Sequence, residues 1–319
     1  MIATVNSLGL SGVNGYFVRV ECYIGPGVPT FDVVGLPDAA VREARERVRA
    51  SIHTLGLDFP QGRLTVNLAP ASVRKEGAVY DLPILLAILA ASGQIPSLPD
   101  NAAFLGELSL SAGIRSTAGM LPMSLAAAQN GLQALYCPQE NAVEATLAEN
   151  LIVYPVNNVT DLLAHLRGQH LITPQTPWED KPDPNEPHLD LRDVRGQFKA
   201  KRALMLAAAG GHHLILTGPP GTGKSMLASR IGSILPPLTR AEAIETTVIH
   251  SVAGILPSDR PLVTIRPFRA PHHSITTAGL AGGDGFRSPE SCRWRITAFC
   301  FWMSCRNSHR MRWRFCVSR

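Results

Sequence analysis

Leu214-Ile-Leu-Thr-Gly-Pro-Pro-Gly-Thr-Gly-Lys-Ser225 decides how the second half of this 319-residue chain folds. An apolar run reads as a buried strand, and it enters a glycine-rich loop that opens directly into a helical segment. The pattern G-x-x-x-x-G-K-[ST] is met at Gly218, Gly223, Lys224 and Ser225. Glycines at these places let backbone N–H groups turn inward around phosphate oxygens, and a helix N-terminus adds a favourable dipole. Lys224 is then placed to neutralise β and γ phosphates, and the Ser225 hydroxyl to ligate Mg²⁺ carried by the nucleotide. A plain Gly/Pro turn accounts for Gly218, Pro219, Pro220 and Gly221, but not for Thr222-Gly-Lys-Ser225 after a buried strand. Gly218 to Ser225 are therefore the cofactor-binding candidates, with ATP and Mg²⁺ as the ligands.

Working outward, the helix after the loop is expected over 223–234, and another over 196–209 that ends at Gly210-Gly211. Upstream, five prolines between Thr173 and Pro187 sit among Asp, Glu, Lys and Asn, a composition of extended, solvated chain. A linker is placed there, over 169–190. Before it, residues 1–168 mix two periodicities. Tyr16–Ile24 and Leu64–Leu68 read as strands. Asp38–Leu55 reads as a helix capped by Asp38, with Val41, Val48 and Ile52 on one face. Tyr80–Ser92 is an almost wholly apolar, buried helix, and Met123–Asn130 is a third before the strand Ala134–Cys137. The class of this part is α+β, followed by an α/β phosphate-loop domain over 191–285.

A net charge of +5 invites a nucleic-acid reading until its location is considered. From Phe286 to Arg319 there are eight Arg and one acid, Glu290, while the other residues hold 22 bases and 24 acids. The body of the chain is not basic, so charge gives no sign of a DNA-binding face. Leu82–Ala91 is about half of what a membrane span needs, and no basic residue precedes Arg19 to serve a signal peptide. The expectation is a cytoplasmic protein without a membrane partner.

Sequence around the phosphate loop resembles one family closely. Gly196-Gln197, Lys201-Arg-Ala-Leu204, Ala207–His212 and Pro267-Phe-Arg-Ala-Pro-His-His-Ser274 are similar to the magnesium-chelatase-like AAA+ ATPases of the YifB/ComM family. Val34-Gly-Leu-Pro-Asp38, Glu43–Val48, Asn67–Ala71, Lys75-Glu-Gly77 and Asp81-Leu-Pro83 resemble that family's first domain. The resemblance runs from residue 1 to about 285. It implies a Lon-protease-like fold for residues 1–168 and an ATPase ring, commonly a homo-hexamer. For ComM-type members it implies a DNA branch-migrating helicase in the uptake of transforming DNA. Lon's catalytic Ser and Lys have no counterpart here, because Gly77-Ala-Val-Tyr80 offers no Ser and the Lys position falls at Leu121. A peptidase is excluded on that chemistry. His272 and His273 stand side by side on a segment read as extended, which points them opposite ways, so a metal site there is disfavoured; the family resemblance implies instead a loop inserted in the ATPase core.

The last segment, 286–319, breaks from this pattern. It holds four of the six Cys and three of the four Trp. Cys292, Cys300, Cys305, His309 and Cys316 lack the close ligand pairs of a zinc site. An AAA+ domain needs a hydrophobic strand ending in Asp-Glu, and no Asp-Glu follows Ser225. Trp302 and Met303 have single codons, TGG and ATG. Reading from the third base of TGG, with an AG-starting codon for Ser304, gives Asp-Glu, and Phe299–Phe301 in that frame give Leu-(Phe or Leu)-Leu. The tail is therefore expected to be out of frame and disordered from near Arg287. The ATPase domain is then incomplete, with no catalytic residues in this chain, no ladder partners for Leu214–Thr217, weak or no nucleotide binding and no hydrolysis. Two other classes stay open: an ATP-dependent chelatase or protein-remodelling subunit, and a non-enzymatic interaction module.

Overall fold

Alternating burial along the N-terminal segment builds a sheet with one wet face. The computed structural model describes residues 1–179, 189–257, 260–269, 299–304 and 311–316. In it β1 (Ile2–Ser11) and β2 (Asn14–Gly25) form an antiparallel hairpin in register from Ile2↔Tyr23 to Ser11↔Asn14. Val18, Val20 and Cys22 are buried whereas Arg19 and Tyr23 are exposed, so successive residues face core and solvent. β3 (Thr30–Val34) reaches β4 (Arg63–Ala69) through helix α1 (Ala39–Thr54), the crossover that a parallel pair requires. The core face is roofed by α2 (Asp81–Ala91), every residue of which is buried except Ala90. β5 (Ala102–Phe104), the ribbon β6 (Glu107–Leu108) with β7 (Ile114–Arg115), α3 (Met120–Gln129), β8 (Ala134–Pro138), α4 (Ala142–Ala145), β9 (Ile152–Val156) and α5 (Val159–Leu166) complete the unit. The seven-stranded order is β3-β4-β2-β1-β5-β8-β9, antiparallel about β2 and parallel from β1 to β9. Gly15 admits α3 onto β2, since a side chain there would run into the Pro122 carbonyl.

Two compact units divide the chain, Met1–Glu179 with Ser251–Pro261, and Asp180–His250 with Leu262–Arg319. In the first, Asp38 caps α1 through Val41 N at 2.8 Å, as its place in the sequence suggests, and also accepts Gly77 N at 3.2 Å. The central polar contact joins α1 to α2. Arg47 Nε and Nη2 donate to Asp81 Oδ2 and Oδ1 at 2.6 and 3.0 Å, and Leu108 N donates to Oδ2 at 3.2 Å. Burial pushes the Asp81 carboxyl up despite Arg47, while the bidentate contact pushes the Arg47 guanidinium up. The second effect and the geometry describe an ionised pair.

The stretch after α5, expected as solvated linker from residue 169, is laid along the first unit as far as Glu179. Ile172 N donates to His165 Nδ1 at 2.9 Å, Gln175 N to the Val153 carbonyl at 2.8 Å, and Trp178 N to Thr146 Oγ1 at 3.1 Å. Backbone donors here find partners in the sheet edge and helix ends, which composition alone does not reveal. Residues 180–188 lie outside the described residues. His165 also meets Tyr136 Oη through Nε2 at 3.0 Å, at the end of the stacked row Phe104, Tyr136 and Tyr154 on neighbouring strands.

The second unit contains α6 (Phe198–Gly210), β10 (Ile215–Gly218), α7 (Lys224–Ser229), most of α8 (Arg240–Val252), β11 (Phe268–Arg269), β12 (Phe299–Ser304) and β13 (Met311–Cys316). The helix expected over 223–234 stops at Ser229 and resumes as a 3₁₀ turn over Ile231–Ile234, where Gly232 weakens the helix before Pro236. A further correction concerns the tail. β12 and β13 are strands, and β13 runs antiparallel to β10 with Leu216↔Trp313, giving β10 the ladder partner it was expected to lack. Met311-Arg-Trp-Arg-Phe-Cys316 alternates with period two, a strand pattern whatever its reading frame. The rest of 286–319 and His272-His273 lie outside the described residues.

Replacing Arg47 by Met should cost about 3–5 kcal/mol in urea unfolding, because Asp81 is left charged and buried. Arg47→Met with Asp81→Leu should recover much of that loss. His165 gives a pH test. Burial lowers its pKa from 6.5, so its contribution is full above about that pH and is lost as the pH falls and the unfolded chain takes up a proton that the folded chain resists. The drop in stability between pH 7.5 and 5.5 should be smaller in His165→Gln.

Candidate functional site

β10 delivers the chain to its phosphate-loop candidates, and α7 receives it. Gly218 ends β10; Pro219, Pro220, Gly221 and Thr222 form the exposed rim; Gly223 precedes α7, whose first two residues are Lys224 and Ser225. Gly221 and Gly223 have φ of 80° and 81°, a left-handed conformation that side chains with a Cβ disfavour. At Gly221 the space beyond Cα is open, so conformation alone demands glycine there; at Gly223 a Cβ would stand 3.2 Å from Met226 Cε. The structure thus brings all eight candidates into one loop and helix start.

Lys224 is the one buried member, at 7% exposure, while Ser225 is exposed. Its Nζ donates to the carbonyls of Gly218 and Pro219 at 3.0 and 2.6 Å and to Thr222 Oγ1 at 3.2 Å. Thr222 Oγ1 donates in turn to the Pro219 carbonyl at 2.9 Å. The ammonium therefore lies inside the loop with oxygen acceptors around it. The amides of Lys224 and Ser225 open α7 and have no carbonyl within the helix to receive them. An inward cation, the opening amides of a helix and an exposed hydroxyl beside them are a donor set that suits a polyphosphate with its magnesium ion. Among the described residues the apolar cluster by the loop holds Leu191, Val194, Leu204, Leu227 and Ile231, with Leu214 and Leu216 packed against it.

The residues compared with the Lon dyad are largely enclosed: Val79 and Tyr80 lie in the 3₁₀ turn Ala78–Tyr80 and Leu121 in the first turn of α3, all three buried. Leu121 N donates to Glu144 Oε1 at 2.8 Å, and Glu144 also receives the Ser251 hydroxyl and Asn141 Nδ2. Burial pushes the Glu144 carboxyl up, against these hydrogen bonds. Glu144 escaped the sequence reading, since nothing in its neighbourhood distinguishes it from a surface acid. It borders a cavity of about 350 Å³ whose wall includes Ser116, Thr117, Glu140 and Leu256. With Glu144 spent on internal partners, the cavity offers no converging set of reactive groups. Among the described residues no group of three or more His, Cys, Asp or Glu is arranged to hold a metal, and no helix is long and apolar enough to cross a membrane.

Comparison with known proteins agrees with the residues that form the loop and the first unit. Residues 20–141 match the family described as subunit ChlI of Mg-chelatase, and residues 190–292 that described as magnesium chelatase, subunit ChlI. An uncharacterized protein of Mycobacterium tuberculosis is 44% identical over 278 residues, 87% of this chain and 55% of its own length. Competence protein ComM of Haemophilus influenzae is 40% identical over 294 residues, covering 90% of this chain and 57% of ComM. Uncharacterized protein YifB of Escherichia coli is 37% identical over 294 residues, 90% of this chain and 56% of YifB. The chain belongs to the YifB/ComM family of magnesium-chelatase-like proteins. It spans about 55% of the length of these relatives. Part of the chain is also similar to Lon protease of the Aster yellows witches'-broom phytoplasma, 23% identical over 177 residues, 52% of this chain and 22% of Lon.

With no Ser in Gly77–Tyr80 and an aliphatic side chain at Leu121, the protein should not degrade casein. Nor should any serine of residues 1–179 be labelled by a fluorophosphonate probe; a labelled serine identified by peptide mass spectrometry would contradict this.

Proposed function

We propose that this chain is a nucleotide-binding member of the YifB/ComM family that grips MgATP through Gly218–Ser225 and does not itself hydrolyse it. The observation that carries the reading is the inward, buried Lys224 ammonium at the start of α7. Lys224 would offset phosphate charge, the loop amides would hold phosphate oxygens, and Ser225 would take the metal. Bound Mg²⁺ supplies charge neutralisation and orientation at the phosphates. Turnover needs in addition carboxylates that organise metal and attacking water, and after Ser225 the chain has no Asp-Glu pair to supply them.

The match to the magnesium chelatase family ends at residue 292, close to where Arg, Cys and Trp become abundant. This supports a reading-frame change near Arg287, with Leu-Phe-Leu-Asp-Glu as the restored strand. For the restored protein we propose ATP-driven work on DNA as a homo-hexamer in the cytoplasm, on the strength of the likeness to a competence protein. The family description, Mg-chelatase, favours a second reading, metal insertion or protein remodelling. Stimulation of the restored ATPase by forked or single-stranded DNA separates the two.

Titration with a fluorescent ATP analogue should show saturable binding by the 319-residue chain, weakened about 10- to 100-fold in Lys224→Ala by loss of a charged hydrogen-bond donor. Phosphate release should stay at background for this chain and appear in the restored protein. Turnover by the 319-residue chain that Lys224→Ala abolishes would show that the tail supplies catalytic groups.

A further inference from the structure

We infer that Thr222 is a positioning residue, a latch that holds Lys224 inside its own loop, so that a nucleotide binds by displacing this internal contact. The inference rests on the nucleotide-binding reading above. It starts from donor counting. An ammonium has three N–H donors, and here all three are met, by the Gly218 carbonyl at 3.0 Å, the Pro219 carbonyl at 2.6 Å and Thr222 Oγ1 at 3.2 Å. Lys224 is thus saturated before any ligand arrives. Among these acceptors Thr222 Oγ1 alone belongs to a side chain. It also donates to the Pro219 carbonyl at 2.9 Å, which closes the ring Lys224–Thr222–Pro219. A hydroxyl does both at once, because it carries one donor and two acceptor sites.

The consequence is selectivity by charge. A ligand must replace three neutral acceptors around Lys224. Phosphate oxygens do so with a gain, since hydrogen bonds between ions exceed those from an ion to a neutral carbonyl. A ligand without phosphates in reach of Lys224 gains nothing from opening the ring. Thr222 lies on the exposed rim and packs into no core, so its hydroxyl can be removed without a cavity.

The test compares Thr222→Val, which keeps the shape and loses the hydroxyl, with Thr222→Ser, which keeps the hydroxyl. The first measurement needs no nucleotide: the rate at which an N-hydroxysuccinimide acetate labels Lys224, read by peptide mass spectrometry against exposed Lys199. Labelling should be slow in the wild type and in Thr222→Ser, and faster in Thr222→Val. Equal rates in wild type and Thr222→Val overturn the latch whatever the nucleotide data. The second is the dissociation constant for fluorescent ATP, ADP and AMP analogues. Thr222→Val should tighten ATP and ADP about threefold to tenfold and leave AMP unchanged, the size expected for one or two hydrogen bonds. Weaker ATP binding in Thr222→Val, restored in Thr222→Ser, would make Thr222 a phosphate contact and overturn the inference. Faster labelling of Thr222→Val with no nucleotide bound by any variant leaves the latch standing and overturns the nucleotide-binding reading.

Discussion

The bidentate contact between Arg47 and Asp81 is the constraint on which the first unit rests. Asp81 opens α2, and α2 is buried along almost its entire length, so it has no wet face by which to find its place. An apolar helix of this kind packs well in several rotations about its axis. One buried carboxylate removes that freedom, because it must meet the α1 guanidinium and the Leu108 amide together. Net stabilisation from such a pair is small or negative against an apolar substitute, and its value lies in choosing one arrangement. Here that choice fixes α1, the helix start and the β6 strand in one step, and the remaining core closes around them.

Much of this was legible in the sequence, and each part that was not has a physical reason. Asp38 as a cap, the α1 stripe Val41, Val48 and Ile52, and the buried α2 follow from local spacing and are found within a residue or two. β2 and β4 follow from alternation. β5, β6, β7 and β9 do not, since they are two to five residues long and fully or irregularly buried, which leaves no period to read. The sheet order is equally hidden, as β1 pairs with β5 about a hundred residues away. At the candidate site the passage of these eight residues from a strand through a loop into a helix was legible, because the motif sets residue types at fixed spacing along one stretch of chain. Where the Lys224 ammonium rests was not, since three carbonyl or hydroxyl partners within six residues leave no mark on composition. The tail strands were missed for another reason: an argument about reading frame speaks to chemistry, while main-chain pairing needs only a stretch that can lie extended.

The two units differ sharply in what holds them. The first has one continuous core that runs from Val5 to Leu163. Among the described residues of the second, a separate cluster of Leu191, Val194, Leu204, Leu227 and Ile231 lies by the loop and its six-residue helix. At the loop, hydrogen bonds from Lys224 to its own backbone add order to that packing.

The pairing of β10 with β13 separates two properties that usually travel together. Backbone amides and carbonyls are the same in every residue but proline, so a ladder accepts any segment of suitable length and alternation. The side chains that would complete chemistry at the strand ends are not checked by that pairing. A complete ladder at β10 is therefore a property of the main chain alone, and leaves the chemistry at its end to the side chains that each segment brings.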